Sequence, residues 1–371
     1  MASHSAKRAG LLLELLALQF ACSCASLLGA IRHFPLRSAQ MPAAAEITQP
    51  TRFAWHRRAV PALFSVLIVL SFGGTLVYKL RVDGIFSCQA KGYAPNAYLS
   101  DCTARTYGDY DHGAFWFGLE PQAEGAAAEA DVLIIGSSRL QFAFSGRTTI
   151  NWFSAANIRP YLLGFSASET IVFFEPLLAR IRPRAKVYVV NVDRFFDDRT
   201  SPPAEQVLHG HDALSRYEEK RTWQVLHRVL CEALPAACGT SLAIYRTRDT
   251  GVWERTGGGR LDAVRVSDGQ PSRVERWNHY AELAEKFLAR LPVDRSCVIF
   301  TIVPTVDTKR AEAMAIAASA GQDLLAPQVD NLTTFDGSHL DAESAERWST
   351  AFLREAGPRI RSCVATGVST R

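Results

Sequence analysis

Short runs of apolar, largely β-branched residues, each closed by glycine or a polar residue and followed by a longer mixed segment, recur from residue 130 onward. The first, Ala130-Asp131-Val132-Leu133-Ile134-Ile135-Gly136, reads as a buried strand entering a turn. Residues 161–166 repeat the pattern and lead into a helical run over 167–180. Residues 185–193 form a third such strand, and 297–303 a fourth, placed before Pro304 and an alanine-rich helix. Strands that alternate with helices predict an α/β fold with a doubly wound parallel sheet.

Upstream, the pattern changes. Residues 60–78 are uncharged and long enough to cross a bilayer, which predicts an N-terminal transmembrane helix. Arg52, His56, Arg57 and Arg58 precede it, so the positive-inside rule keeps that flank cytoplasmic and exports the chain beyond residue 78. A competing apolar run, 10–31, contains Glu14 and follows Lys7-Arg8. If it were a cleaved signal, 60–78 would stop transfer and leave the remainder inside. Arg32, Arg37, Arg52, Arg57 and Arg58 make the intervening segment a poor translocated loop, and Met41 offers an alternative start. The expected organisation is a cytoplasmic or upstream-coding leader (1–59), an anchor (60–78), a stem (79–130) and one α/β domain (131–371). That domain carries an insertion near 200–270, read as a cap over the site, with a helix near 217–234 and Gly257-Gly258-Gly259.

Composition narrows the field. The 371 residues are 48% hydrophobic, enough for a large core, and the net charge of +4 comes without dense basic clusters, so no nucleic-acid partner is indicated. Of eight cysteines, Cys22 and Cys24 lie in the leader, and the other six follow the anchor. An even number beyond an anchor fits disulfides in an oxidising compartment. Spacing favours Cys88 with Cys102 and Cys231 with Cys238, leaving Cys297 at a strand start and Cys363 after the last helix, at the edge opposite the site. His209-Gly210-His211 lacks a third ligand at useful spacing and reads as a loop. Asp193, Asp197 and Asp198 beside Arg194 and Arg199 read as an internally paired charged loop, and His279 as a surface or packing residue. No metal or organic cofactor is indicated.

Two motifs carry chemistry. The first predicted strand ends in Gly136-Ser137-Ser138-Arg139, and about two hundred residues later Asp336-Gly337-Ser338-His339 stands just before a helix. A serine hydroxyl becomes a nucleophile only when an imidazole takes its proton, and the imidazole needs a carboxylate to fix its tautomer. Ligands in open α/β sheets bind beyond the carboxyl ends of the strands, where Ser138 would sit. Taken singly, the first motif also reads as a turn with an N-cap serine and the second as a turn and helix cap.

In this order, Gly-x-Ser after strand one, Gly164 after strand two, a polar end to strand three and a C-terminal Asp-x-x-His, the chain resembles the SGNH/GDSL hydrolase superfamily. It looks most like membrane-anchored members related to the teichoic-acid D-alanyl transfer and alginate O-acetylation proteins. The resemblance implies a flavodoxin-like three-layer fold over roughly 131–358, with Ser138 as nucleophile, His339 as base and Asp336 as its orienter. It also implies an oxyanion hole made by the N–H groups of Ser138 and Gly164. Two blocks depart from the family pattern: Ser137 replaces aspartate, and Asn191-Val192-Asp193-Arg194 stands where Gly-x-Asn-Asp is expected. Asn191 supplies the oxyanion amide only with a two-residue shift; otherwise Asp193 occupies that place, where a carboxylate repels an oxyanion. Arg139 would either hold an anionic group beside the nucleophile or make a structural salt bridge.

The implied function is an extracytoplasmic O-acyltransferase or esterase acting on acyl groups of a cell-envelope glycan or similar ester, with a membrane-embedded acyl-donor protein as partner. A tethered domain gains more from transfer than from hydrolysis, because tethering raises the partner's effective concentration. The alternative is a catalytically silent envelope protein that binds polysaccharide.

Overall fold

Residues 53–104, 106–258, 262–270 and 274–366 are described by a computed structural model. The apolar run 10–31 and Met41 lie outside these residues. Helix α1 (Phe53–Val82) contains a stretch, Ala62–Val82, long and apolar enough to span a membrane. It runs four residues beyond the expected end at Tyr78, and Lys79 and Arg81 stand in its last turn.

After α1 come β1 (Ala97–Cys102), β2 (Gly108–Asp109), α2 (Asp111–Trp116) and α3 (Pro121–Glu129). The chain then runs through β3 (Val132–Ser137), α4 (Ser138–Phe144), α5 (Arg147–Ala155), β4 (Pro160–Phe165), α6 (Ile171–Ile181) and β5 (Val187–Asn191). An interruption comes next, made of α7 (Pro202–His209), α8 (Ala213–Ala233), β6 (Ala243–Thr247), β7 (Trp253–Thr256) and the short β8 (Val264–Arg265). Helix α9 (Val274–Arg290), β9 (Val298–Thr301), α10 (Arg310–Ser319), β10 (Thr333–Thr334) and α11 (Ala342–Thr366) complete it.

The expected α/β architecture is present as a four-stranded parallel sheet in the order β4-β3-β5-β9. Alternate residues serve opposite faces, as strand geometry dictates. Leu133, Ile135, Leu163, Tyr188 and Val190 pack with Phe173 and Phe174 of α6 and Phe287 of α9. Val132, Ile134, Leu162, Val187 and Val189 pack with Phe144 of α4 and with Trp348, Phe352 and Ile360 of α11. Burial of both faces explains why these strands read as continuous apolar runs. Because β4 and β5 flank β3 on opposite sides, the chain reverses direction across the sheet at β3, and the carboxyl end of β3 is the switch point beside which open α/β sheets place ligands.

A second, antiparallel sheet has the order β2-β1-β6-β7. It unites the stretch expected to be a stem with the insertion near 200–270: β1 pairs with β6 from Ala97↔Thr247 to Cys102↔Ala243. The loop after β6 lies along the edge strand β4, where the Leu162 N–H donates to the Thr250 carbonyl at 2.9 Å. These strands therefore cover a sheet edge, and from β7 Trp253 also meets Phe142 while Arg255 lies over the Phe335 ring, beside the second motif.

The disulfides are Cys88–Cys102, Cys231–Cys238 and Cys297–Cys363, the two pairings the spacing favoured and the one it left over. The last joins the start of β9 to α11, at the end of the sheet opposite Ser138. It closes a sequence separation of 66 residues, so replacing both cysteines by serine should lower unfolding stability by about 4 kcal/mol on the loop-entropy model. Urea denaturation of the double variant measures this, and an unchanged midpoint would contradict a structural role.

Candidate active site

Strand β3 ends at Ser137, which caps α4 by accepting a bond from the Arg139 N–H, so that Ser138 becomes the first helical residue. Close packing of β3 on β5 requires glycine just before this point. A Cβ on Gly136 would stand 2.9 Å from the Asn191 Cβ.

The second motif forms a turn between β10 and α11. The Asp336 Oδ1 accepts the N–H groups of Ser338 at 2.9 Å and His339 at 2.8 Å, while Gly337, at φ 82°, takes the left-handed conformation the turn requires. The Asp336 Oδ2 is thereby aimed at the His339 Nδ1, 2.7 Å away. The opposite ring nitrogen, Nε2, lies 2.8 Å from the Ser138 Oγ. Phe335 stacks on the imidazole, with centroids 5.5 Å apart, and Phe142 meets it edge-on at 4.9 Å. Burial pushes the Asp336 carboxyl up, but the bonds and charge it receives from His339 and the two N–H groups prevail and hold it down at about 2. An ionised Asp336 places the imidazole proton on Nδ1, which leaves Nε2 to accept from the serine hydroxyl. Ser138, His339 and Asp336 are thus brought together in the order that proton transfer needs.

The other sequence-selected residues have different duties. Arg139 pairs with Asp193 and donates from Nε to the Ser338 Oγ at 2.9 Å. It ties α4, the loop after β5 and the Asp336 turn together, which is its structural reading, and it compensates the Asp193 charge. The Gly164 N–H is not a free oxyanion donor: it donates to the Gln141 Oε1 at 2.9 Å, and Gln141 is fully buried. Asn191 is also fully buried, its Oδ1 accepts the Val303 N–H at 3.3 Å, and its Nδ2 has no hydrogen-bond partner among the described residues. Neither group presents a donor to solvent beside Ser138.

His279 bonds Asp198 at the surface at 3.0 Å, and Asp197 pairs with Arg199. No group of three or more His, Cys, Asp or Glu side chains suited to a metal occurs among the described residues.

One constellation escaped the sequence reading although its signal was present. Asp109-Tyr110-Asp111-His112 repeats the Asp-x-x-His spacing of Asp336 and His339. The fully buried His112 places Nδ1 3.0 Å from the Asp109 Oδ1 and Nε2 2.8 Å from the Glu169 Oε2. Burial alone would lower its pKa, but the two carboxylates raise it to about 10, so the ring is an imidazolium. Glu169 also accepts from Ser201 and from the Thr170 N–H, and Asp109 accepts from the Ser166 hydroxyl at 3.2 Å. Ser166 follows Phe165, which is the register partner of Ser137. The network therefore ends on the turn facing the nucleophile's strand end. In that turn Ala167 and Ser168 hold φ 61° and 56°, a left-handed pair that costs about 1–2 kcal/mol per residue and persists only where surrounding contacts impose it.

No protein-family model, curated protein or solved structure matches this chain.

His112→Gln should destabilise the fold by about 3–5 kcal/mol, as expected for removing one partner of a buried ion pair. A raised folded pKa means that the His112 contribution is complete below the unfolded value of about 6.5 and is lost as pH rises through about 10. The stability gap between wild type and variant, measured by denaturant unfolding across that range, should narrow toward pH 10. A gap that does not change with pH would contradict the imidazolium assignment.

Proposed function

We propose that this chain is a membrane-anchored, extracytoplasmic serine O-acyltransferase or esterase of the SGNH/GDSL type, acting on acyl groups of a cell-envelope glycan. The observation that carries this reading is the approach of the His339 Nε2 to 2.8 Å from the Ser138 Oγ, with Asp336 2.7 Å behind the ring, across 201 residues of sequence. The parallel strand order supports it, since strands numbered within that sheet run 2-1-3-4, the flavodoxin-like order without its last strand. A membrane-length helix followed by three disulfides supports the location.

In the first half-reaction the Ser138 Oγ attacks the acyl carbon as its proton passes to the His339 Nε2. The tetrahedral intermediate collapses when His339 returns that proton to the departing alcohol oxygen, leaving the acyl group on Ser138. A glycan hydroxyl or water, deprotonated by His339, then attacks the acyl-enzyme and regenerates the serine. Asp336 stays ionised throughout and stabilises the imidazolium. Apart from the Arg139 N–H, which the Ser137 side chain caps, the first-turn N–H groups of α4 are the donors that helix geometry leaves for the oxyanion. Transfer is favoured over hydrolysis because an anchored domain meets a membrane-embedded acyl donor at high effective concentration.

One observation favours a second reading, a silent polysaccharide-binding protein: of the two groups expected at the oxyanion, the Gly164 N–H is held by Gln141, and the Asn191 amide, though its Nδ2 is unpartnered among the described residues, is sealed from solvent. An assay with an activated acetyl ester and an oligosaccharide acceptor separates the two. Wild-type protein should acetylate the acceptor faster than it releases acetate. Ser138→Ala should abolish turnover, and Asp336→Asn should lower kcat by about 10³–10⁴-fold. Acetate release that no acceptor accelerates would make the protein an esterase; absence of both products would favour the binding protein.

A further inference from the structure

Helix α1 ends in a glycine-capped turn. The Gly84 N–H donates to the Arg81 carbonyl at 3.1 Å and the Ile85 N–H to the Leu80 carbonyl at 3.0 Å, with Gly84 at φ 72°. This cap folds the chain back over the last helical turn, so Ile85 lies level with the end of the apolar stretch at Val82.

The insertion is bonded to this exit. Trp223 Nε1 on α8 donates to the Asp83 carbonyl at 3.1 Å, and the Gly239 and Ser241 N–H groups donate to Phe86 and Ser87 at 2.6 and 3.1 Å. The Cys231 Sγ stands 3.8 Å from the Ile85 carbonyl. The furthest attachment point, Ser87, is five residue steps from Val82, so these points lie no more than about 18 Å from the end of the apolar stretch.

Cys231 and Cys238 close the loop Glu232-Ala233-Leu234-Pro235-Ala236-Ala237, every residue of which is exposed. Its single charge, Glu232, is paired with Arg228 at 2.9 Å. Leu234 is 56% exposed, and Val229 and Val225, one and two turns back along α8, are 50% and 56% exposed. The disulfide and the bonds to residues 83–87 hold this exposed apolar surface beside the end of α1. Burial of apolar side chains in the headgroup and acyl boundary stabilises such a surface, and water does not.

We propose that the disulfide-closed loop 232–237, with Val225 and Val229, rests in the lipid interface of the membrane that α1 spans and fixes the domain's orientation over it. The inference depends on reading α1 as a membrane span. Its occupant is lipid because the loop is bonded to the chain just beyond the end of that span, is exposed at every residue and carries no charge other than the paired Glu232.

The test places the photoreactive residue benzoylphenylalanine at Leu234 in the full chain, reconstituted in nanodiscs of phosphatidylethanolamine and phosphatidylglycerol. The same residue is placed in separate proteins at Phe72, within the apolar stretch, and at Met314, an exposed position on α10. Retention of the Cys231–Cys238 disulfide by mass spectrometry identifies folded protein. Position 234 should form lipid adducts at least about ten-fold above position 314, as position 72 should. Labelling at 72 but only background at 234 overturns the inference and leaves the span standing. Background labelling at 72 overturns both. Adducts at 234 formed only with protein, in native membranes, overturn it in favour of an integral partner.

Discussion

A single buried guanidinium joins the two sheets. Arg246 on β6 is fully buried; its Nε donates to the Asp111 Oδ2 at 2.9 Å, Nη1 to the Leu162 carbonyl at 2.8 Å, and Nη2 to the Gly164 carbonyl. The rings of Phe115, Phe165 and Trp253 surround it at 5.4 Å. Leu162 and Gly164 belong to β4, the edge strand of the parallel sheet, so the cation satisfies carbonyls that would otherwise invite another strand. Asp111 is held in turn by the Tyr98 hydroxyl at 2.6 Å. A buried ion pair is tolerated only when its remaining hydrogen-bonding capacity is met, and here the backbone of a second sheet meets it. The position of β4, and with it Gly164, Ser166 and the left-handed turn beyond, depends on this contact.

The two Asp-x-x-His motifs show how surroundings decide the chemistry of one spacing. At His339 a carboxylate bonds one ring nitrogen and the other faces a serine, so the ring can accept and return a proton. At His112 a carboxylate bonds each nitrogen, the ring is sealed from solvent, and the proton is held. The first arrangement suits turnover and the second suits rigidity. The second braces the turn beside the first, since Asp109 also holds Ser166.

The parallel sheet was legible because strands buried on both faces carry uninterrupted β-branched runs, each ended by a glycine or polar residue, as at Ile135-Gly136 and Val190-Asn191. Ser138, His339 and Asp336 were legible because each sits at a turn with its own spacing, although no local signal joins residues so far apart. The antiparallel sheet was hidden. Its strand β2 has two residues, and β6 places the charged Arg246 at a buried position where sequence reading expects solvent. The fate of the Gly164 N–H was equally invisible, because it depends on Gln141 reaching across from another element. The Asp193 charge, read as paired within its own loop, is met instead by Arg139 from the start of α4.

The central claim is that Ser138 is activated by His339. Exposure of the full-length protein to a fluorophosphonate, followed by peptide mass spectrometry, tests it directly, because the reagent phosphonylates an activated serine and spares an inert one. The account predicts a single adduct on Ser138 that disappears in His339→Ala. An unlabelled Ser138, or an adduct on Ser137 in its place, would contradict it.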